Sequence, residues 1–302
     1  MTGQDSQNAA RQRVIELPIW KGAVEPERLM GGITNNSNFV VDDGGERFVV
    51  RVGEDVPVHQ IMRFNERAAT RAAALAGISP QVIHTEPGVL VIRFIEGKTC
   101  GAGDLNTAAG VERVVPLVKK VHLRLLDHMR GPVLAFWVFH VIRDYAHTLR
   151  QAGSRYAPQL PDLVDVAATL EAAVGRVDIV FCHNDLLAAN FIDDGARLWL
   201  VDWDYAGLNS PLFDLANLAS NNDFEPEQER WMLSAYFDRR PDAALMRSYG
   251  AMKCASLLRE AMWGMVSEIH STLDFDYRAY AHDYIEHFAR TYATYSKKVD
   301  EP

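Results

Sequence analysis

The most informative stretch of the sequence runs Phe181-Cys-His183-Asn-Asp185-Leu-Leu-Ala-Ala-Asn190 and, one hairpin later, Leu200-Val-Asp202-Trp203-Asp204. Each polar loop follows an apolar run, and Asp193-Asp194-Gly195 predicts the hairpin turn between them. The two loops bring carboxylate and amide oxygens together, as is needed to hold a hydroxyl nucleophile beside one or two divalent cations. Capping or turn formation is the alternative role for such residues, but the joint pattern favours a site for a hydroxyl group and divalent cations.

Length, composition and charge place the chain among soluble globular proteins. Its 302 residues suffice for one large domain or two modest ones, and 48% hydrophobic with 24% charged residues are ordinary values. The net charge of −9 leaves no basic surplus for binding nucleic acid and is compatible with a small cationic substrate. The three cysteines, Cys100, Cys182 and Cys254, are far apart, so neither a disulfide framework nor a zinc site is predicted.

The N-terminal segment is polar and has no apolar signal region. The longest apolar run, Val133 to Ile142, is too short to span a bilayer. We therefore expect a cytoplasmic protein without a membrane span. The sequence leaves the oligomeric state open.

The N-terminal third of the sequence predicts a small antiparallel sheet with one helix. Residues 1–12 are expected to fray, and residues 13–20 to form a short helix or a lead-in segment. The predicted strands cover residues 37–42, 46–52, 81–84 and 89–95. Asp43-Gly44-Gly45 predicts the turn between the first two strands. Apolar residues at helical spacing predict a helix from His59 to Ala76, which Gly77 ends.

Some residues of this N-terminal part are candidates for contacts with an anion. Asn35, Asn36 and Ser37 lie in a glycine-containing turn that can offer N–H groups, although the residues alone favour an ordinary hairpin turn. Arg51 ends a strand, where a solvated surface charge is the usual interpretation. Glu66, on the following helix, pairs either with Arg51 or with arginines of its own helix. The sequence contains no Walker-type phosphate loop.

The composition changes after Glu96-Gly97, and we place a domain boundary there. Helical periodicity dominates the rest of the chain. The predicted helices cover residues 111–129, 133–151, 160–174, 227–237, 243–273 and 277–295, and a further one begins at position 211. His122, His128, His140 and His147 lack carboxylate or cysteine partners at ligand spacing, so we expect packed or solvated histidines rather than metal ligands.

On these residues the chain resembles the choline/ethanolamine kinase family, within the aminoglycoside phosphotransferase group of kinase-like folds. The motifs that carry the resemblance are His183-Asn184-Asp185 with Asn190, Val201-Asp202-Trp203-Asp204-Tyr205, Phe213-Asp214-Leu215-Ala216-Asn217, and Asp274-Phe275-Asp276-Tyr277 with Trp263 upstream. The resemblance implies an α+β, two-lobed protein-kinase-like fold. It assigns residues 1–96 to a small antiparallel-sheet lobe that binds the nucleotide, and residues 97–302 to a larger, mainly helical lobe for catalysis and substrate binding.

The resemblance also implies roles in phosphoryl transfer from ATP with Mg²⁺. Asp185 accepts or orients the substrate hydroxyl, while Asn190 and Asp202 bind magnesium. His183 and Asp214 brace the catalytic loop rather than react. Because phosphoryl transfer depends on positioning and charge neutralisation, these roles agree with what the polar loops predict by themselves.

For the nucleotide, the resemblance implies a set of contacts from the N-terminal lobe. Arg51 contacts the phosphates, and Glu66 holds Arg51 in place. The turn Asn35-Asn36-Ser37 covers the phosphates. Phe94-Ile95-Glu96 matches the connector between the lobes, whose main chain receives the adenine.

For the acceptor, the resemblance implies a box of aromatic rings around a cation. Tyr205, Trp263 and Tyr280 match its positions, although the residues alone favour core packing for Trp263. Ring faces and carboxylates suit a quaternary ammonium, which cannot donate a hydrogen bond. Glu260 stands where eukaryotic members typically have another tryptophan. A carboxylate there either attracts the cation directly or adapts the pocket to a different amine.

The sequence therefore predicts an ATP- and Mg²⁺-dependent kinase that phosphorylates the hydroxyl of a small cationic amino alcohol, choline or ethanolamine. One alternative is a kinase for another hydroxylated amine, such as an aminoglycoside or thiamine. The other is a catalytically silent nucleotide-binding protein. The presence of Asp185, Asn190 and Asp202 argues against a silent protein.

Overall fold

The computed structural model describes residues 3–29 and 37–300, and its N-terminal part is built on a five-stranded sheet. The elements in chain order are α1 Gly3–Ile15, β1 Glu27–Arg28, β2 Ser37–Asp43, β3 Glu46–Val52, α2 Arg63–Leu75, β4 Val82–Glu86 and β5 Val89–Arg93. The strand order is β1-β2-β3-β5-β4, and every neighbouring pair is antiparallel. The predicted antiparallel sheet is confirmed, and the short strand β1 extends it, but two helices, α1 and α2, accompany the sheet instead of the single one predicted.

The hairpin between β2 and β3 forms where the sequence predicts it. Asp43 pairs with Glu46, which leaves Gly44 and Gly45 as a two-residue turn with φ of +60° and +84°. A two-residue turn of this hand requires positive φ at both positions, and glycine adopts it without a steric penalty. The register that follows places Arg51 next to the end of β3.

The first helix is a correction to the sequence-based expectation. Residues 1–12 were expected to fray, but α1 spans Gly3–Ile15, and only the first three of residues 13–20 are helical. The cause is tertiary packing: Val14 and Leu17 are buried in a core shared with Val41 of the sheet. A polar helix with few apolar residues gains its stability from such contacts rather than from intrinsic propensity.

The second helix begins later than predicted, at Arg63 instead of His59. Pro57–His59 form a separate 3₁₀ turn, and the Asp55 carboxylate accepts a hydrogen bond from the Arg63 main-chain nitrogen at 2.6 Å. This contact satisfies one of the free N–H groups at the start of the helix. At the other end, Gly77 has φ of +66° and ends the helix as predicted.

The C-terminal part is mainly helical, with short strands around two loops. Its elements are β6 Lys98–Thr99, α3 Ala102–Leu105, α4 Ala108–His128, α5 Val138–Gln151, α6 Leu160–Val174, β7 Val180–Cys182, β8 Phe191–Asp193, β9 Leu198–Leu200, β10 Gly207–Asn209, α7 Pro211–Asn221, α8 Pro226–Phe237, α9 Ala243–His270 and α10 Tyr277–Asp300. The bounds of α6 are those predicted. α5 begins five residues late because residues 133–137 are extended, and Phe136 N donates to Leu208 O at 2.9 Å.

Helix α9 is the centre of this part of the molecule. It packs against α5, α6, α7 and α10, and it is buried almost without interruption from Ala251 to Ser267. A helix that is buried on all sides has no solvent-facing stripe for charged residues. The two fully enclosed charged residues of that stretch, Arg259 and Glu260, therefore need partners in the interior, whereas Lys253 is only partly buried.

Within the described part of the chain, no helix combines the length and apolar character needed to cross a membrane.

Candidate active site

Two loops meet because short strands pair at both of their ends. Cys182 at the end of β7 pairs with Gly207 of β10, and Phe191 at the start of β8 pairs with Leu200 of β9. The loop of residues 183–190 thus lies against the loop of residues 201–206. The predicted convergence of these two polar segments is confirmed.

Asp185 and Asn190 lie together in the first loop. The Asn190 side-chain nitrogen donates to the Asp185 main-chain oxygen at 2.9 Å and lies 3.5 Å from its Oδ2. Burial and the Glu260 carboxylate raise the pKa of Asp185 well above its ordinary value, while Arg259 acts in the opposite direction. Asp185 is partly exposed and lies within electrostatic reach of Glu260, one of the residues predicted to bind the acceptor.

Asp214, in the first turn of α7, holds the first loop by its main chain. Its carboxylate accepts hydrogen bonds from His183 N at 2.8 Å and Asn184 N at 2.7 Å. His122 Nε2 lies 2.9 Å from the same carboxylate, and the opposite ring nitrogen lies 2.7 Å from the Tyr236 hydroxyl. His122 is a buried, packed histidine as expected, and its carboxylate partner lies 92 residues away in the sequence rather than at ligand spacing. The contacts are those expected of a brace.

His183 is buried and does not face the space around Asp185. Its Nε2 lies 3.0 Å from Val201 O, and its ring packs on Trp203 with centroids 4.7 Å apart. Burial lowers the pKa of His183, which keeps the ring neutral at physiological pH. These contacts tie the first loop to the second one and fit a bracing role rather than a chemical one.

A buried network of charges joins the sheet, helix α2 and the second loop. Arg51 Nη1 contacts Glu66 at 2.8 Å, Asp202 at 3.0 Å and Asp204 at 2.6 Å. The predicted pairing of Arg51 with Glu66 is confirmed. Arg63 adds contacts of 2.7 Å to Glu66 and 2.6 Å to Asp204. Two guanidinium groups therefore face three carboxylates, which leaves one formal negative charge for a bound cation.

The carboxylates of this network titrate differently because of their surroundings. Burial, together with the Asp202 and Glu66 carboxylates, raises the pKa of Asp204 to about 6. Burial acts in the same direction on Asp202, but Arg51 outweighs it and holds the pKa of Asp202 below its ordinary value. Asp202 also has φ of +68°, a conformation that costs about 1–3 kcal/mol for a non-glycine residue and often marks functional sites.

The four residues predicted to bind the acceptor lie together. Trp263 Nε1 donates to the Tyr205 hydroxyl at 2.8 Å, and the Tyr280 hydroxyl donates to Glu260 Oε1 at 2.6 Å. The rings of Trp263 and Tyr280 meet edge to face with centroids 5.6 Å apart. Arg259 completes the group: it contacts Glu260 Oε2 at 2.6 Å, and its guanidinium lies 4.4 Å from the Tyr205 ring. We call these five residues the acceptor box.

A comparison of the sequence with models of protein families identifies the family. The model of the choline/ethanolamine kinase family matches residues 27–236, which is most of the chain. The chain belongs to this family. It is therefore a small-molecule kinase, as the sequence predicts.

Relatives of this kinase agree in sequence and in structure. The protein LicA of Haemophilus influenzae is 28% identical over 216 residues, which cover 70% of this chain but only 62% of LicA. Ethanolamine kinase 2 of Mus musculus is 25% identical, over 87% of this chain and 75% of its own length. A solved choline/ethanolamine kinase family protein from Mesorhizobium loti is 30% identical, with a TM-score of 0.75 over 98% of this chain and 95% of that one. The predicted two-lobed, kinase-like α+β fold is confirmed.

The N-terminal residues predicted to bind the nucleotide are only partly described. Ser37 is the first residue of β2, whereas Asn35 and Asn36 lie outside the described residues. Phe94, Ile95 and Glu96 follow β5 without regular structure, as a connector requires. Their contacts with a nucleotide stay a prediction.

Two arginine side chains, Arg63 and Arg259, belong to the candidate site of this kinase but were not predicted from the sequence. Arg63 appeared only as a local partner for Glu66, yet it reaches Asp204 across 141 residues. Arg259 gave no signal by itself, because an arginine within a helix is usually exposed. Its position inside the long apolar stretch of α9 was the available clue: the side chain is 1% exposed.

His59 lies beneath the acceptor box and makes the stability of this kinase dependent on pH. Its ring nitrogens contact the Tyr145 and Ser267 hydroxyls at 3.1 and 3.0 Å, and the ring lies on Trp263. Burial, followed by Arg259 and His270, lowers the pKa of His59 to about 3. Between this value and the ordinary 6.5, the unfolded chain binds a proton at His59 and the folded chain does not. The free energy of unfolding therefore falls as the pH falls through that window.

When the pH is lowered from 7 to 5, we expect protonation of His59 in the unfolded chain to reduce the free energy of unfolding by roughly 2 kcal/mol. Urea unfolding at both pH values measures it, with His59→Gln as the comparison because glutamine keeps polar contacts but does not titrate. The pH dependence of the variant should be smaller by that amount. Equal pH dependence in the two proteins would show that the buried ring is not kept neutral.

Proposed function

We propose that this kinase uses ATP and Mg²⁺ to phosphorylate the hydroxyl of a small amino alcohol, choline or ethanolamine. The observation that carries the proposal is the position of Asp185: it lies beside Asn190 of its own loop, and the preceding residue, Asn184, donates from Nδ2 to the main-chain oxygen of Tyr205 in the acceptor box at 2.9 Å. A hydroxyl bound next to Asp185 and an ammonium bound in the acceptor box are then two ends of one small molecule. The names of the family and of ethanolamine kinase 2 support the same class of acceptor.

The nucleotide is proposed to bind between a lobe of residues 1–96 and a lobe of residues 97–302. Support for the boundary comes from β6, which pairs with β8 rather than with the N-terminal sheet. Arg51, held by Glu66, contacts the phosphates, and the turn Asn35-Asn36-Ser37 covers them. The main chain of Phe94-Ile95-Glu96 receives the adenine.

Asn190 and Asp202 are the residues that would hold Mg²⁺. The hydrogen bonds of the described residues use Asn190 Nδ2 and Asp202 Oδ1, so Asn190 Oδ1 and Asp202 Oδ2 remain as ligands. Hard oxygen donors of this kind suit magnesium, and the net negative charge of the network around Arg51 favours a cation. When bound, the ion neutralises charge on the phosphate oxygens.

Asp185 is proposed to orient the acceptor hydroxyl and to take its proton. The bond from Asn190 Nδ2 fixes the main chain at Asp185, and Asp214 fixes the two preceding residues, so the carboxylate is held before the substrate arrives. Such preorganisation is the main contribution that a protein makes to phosphoryl transfer.

The acceptor box is proposed to bind the ammonium group. Glu260 is its only carboxylate, and it is shared by Arg259 and Tyr280. Tyr205, Glu260 and Trp263 are all buried, so the box encloses a small cation rather than lining an open groove. An enclosed box suits choline or ethanolamine better than a large polycationic aminoglycoside.

A turnover screen tests the proposed acceptor class. ADP release is measured with ATP, Mg²⁺ and, in turn, choline, ethanolamine, thiamine and an aminoglycoside. We expect choline or ethanolamine to give the highest kcat/KM. A higher value for thiamine or the aminoglycoside would replace the proposed acceptor. Folded protein that binds ATP but turns over none of the compounds would indicate a silent nucleotide-binding protein.

Removing the charge of Glu260 should weaken acceptor binding. In Glu260→Gln the box keeps its shape but loses its only carboxylate, while the buried Arg259 cation stays. We expect KM for the amino alcohol to rise about tenfold or more, with KM for ATP changed by less than about twofold. Initial-rate kinetics measures both values.

Glu268→Gln is the matched control, because Glu268 lies on the same helix and pairs with Arg155 at a partly exposed position. Its kinetic constants should stay close to those of the wild type. An unchanged KM for the amino alcohol in Glu260→Gln would show that the ammonium binds elsewhere.

A further inference from the structure

A cavity of about 700 Å³ lies apart from the acceptor box, near the start of α9. It is open on one side and is lined by the start of α8, the first turns of α9 and residues 287–295 of α10. None of the residues proposed for catalysis, nucleotide binding or the acceptor box lines it. Helices α9 and α10 nevertheless carry both sites, since Glu260 and Tyr280 lie further along the same two helices.

The charge of the cavity lining is opposite to that of the whole chain. Arg230, Arg247, Lys253 and Arg290 line it, against a single carboxylate, Glu229. Glu229 is engaged by Lys253, so the remaining guanidinium groups exceed the acidic groups. In a chain with a net charge of −9 this local excess of cations stands out, and it favours an anionic ligand.

Two of these arginines have no carboxylate partner among the described residues. Arg290 contacts Glu286 at 3.5 Å on the exposed surface. Arg230 and Arg247, by contrast, form no ion pair with any described residue. They stand on different helices, α8 and α9, and both are exposed. Because both line the cavity, both are available to an anionic group bound in it.

The inner wall of the cavity is aromatic and contains a buried hydroxyl group without a partner. Tyr249 is 1% exposed, and its hydroxyl lies next to the Glu229 carboxylate. The hydroxyl of Tyr295 is also buried and has no hydrogen-bond partner among the described residues, which costs stability. Gly250 lets the Tyr295 ring approach α9, because a Cβ at that position would lie 2.9 Å from the ring. The wall therefore offers ring faces together with a hydroxyl group that a ligand can satisfy.

We propose that this cavity binds a small amphipathic anion, a molecule with an aromatic or apolar body and one phosphate, sulfonate or carboxylate group. Arg230 and Arg247 bind the anionic group, and the body lies against Met246 and Tyr295. The hydroxyl group of Tyr295 contacts a polar atom of the ligand. The proposal does not depend on which acceptor the kinase phosphorylates.

Two fluorescent probes test the site on the whole chain. They share one aromatic body and differ in a sulfonate group. The anionic probe is 1-anilinonaphthalene-8-sulfonate, and the uncharged one is N-phenyl-1-naphthylamine. We expect saturable binding of the anionic probe with one site per chain. In the double variant Arg230→Ala with Arg247→Ala, its Kd should rise about tenfold or more, while the Kd of the uncharged probe changes by less than about twofold.

Two further variants make the result decisive. Arg150→Ala with Arg176→Ala removes the same charge from exposed positions outside the cavity and should leave both probes unaffected. Met246→Trp fills the wall and should weaken both probes. The proposal is overturned if the cavity double variant binds the anionic probe as the wild type does, if the control pair loses it equally, or if Met246→Trp leaves both probes bound.

Discussion

Asp185→Asn should lower kcat for amino-alcohol phosphorylation by roughly 10³-fold, while the Kd for ATP changes by less than about threefold. Asparagine has nearly the shape of aspartate, so the loop held by Asn190 and Asp214 stays in place. An amide cannot take the proton of the attacking hydroxyl and does not attract it as a carboxylate does. The loss should therefore fall on turnover rather than on nucleotide binding, which calorimetric titration with ATP measures separately.

Asp178→Asn is the control for this experiment. Asp178 lies just before β7, on the same segment of the chain but exposed, and its substitution removes the same charge. Its kcat should equal that of the wild type. If Asp185→Asn retained turnover near the wild-type rate, Asp185 would not be the group that handles the hydroxyl.

Asp214→Ala should lower the free energy of unfolding by about 3–5 kcal/mol, more than any other substitution proposed for this kinase. The carboxylate is fully buried and serves His183 N, Asn184 N and His122. Removal of the carboxylate leaves these donors buried without an acceptor. Because two of them belong to the catalytic loop, activity should also fall in the protein that remains folded. Urea unfolding followed by tryptophan fluorescence measures the stability.

Asp162→Ala is the matched substitution, since Asp162 also lies in the first turn of a helix but is exposed. There the carboxylate only interacts with the helix dipole, and its loss should cost about 1 kcal/mol or less. A similar cost for the two variants would mean that Asp214 does not brace the loop.

Local signals in the sequence were sufficient for much of the fold. The paired glycines of the first hairpin, the spacing of apolar residues in α6 and Gly77 after α2 each act within a few residues. The motif around Asp185 predicted the convergence of two loops for the same reason, since a hairpin joins them. Helix α1 was missed because its formation depends on packing against a sheet that lies later in the chain.

Contacts between distant residues account for the parts of the candidate site that sequence reasoning missed. Arg63 meets Asp204, and His122 meets Asp214, across 141 and 92 residues. The aspartate of each pair belongs to a motif, but the arginine and the histidine carry no pattern of their own, because such a residue on a helix is usually solvated. Once the fold brings the two groups into a buried space, each requires the other.

The acceptor box shows where this kinase differs from what its family resemblance implies. Glu260 replaces a ring by a carboxylate, and Arg259 supplies a buried cation that partly balances it. The Arg259 guanidinium lies against the Tyr205 ring, a face that would otherwise be available to an ammonium group. We propose that this pair of residues decides the choice between a quaternary and a primary ammonium.

The most direct test of the account is ³¹P NMR of the folded kinase with ATP, Mg²⁺ and choline or ethanolamine. We predict that the γ-phosphate signal disappears while a phosphomonoester of the amino alcohol and ADP appear in equal amounts. Inorganic phosphate as the sole new product besides ADP, or ATP left unchanged with both acceptors, would contradict the proposed transfer to an amino-alcohol hydroxyl.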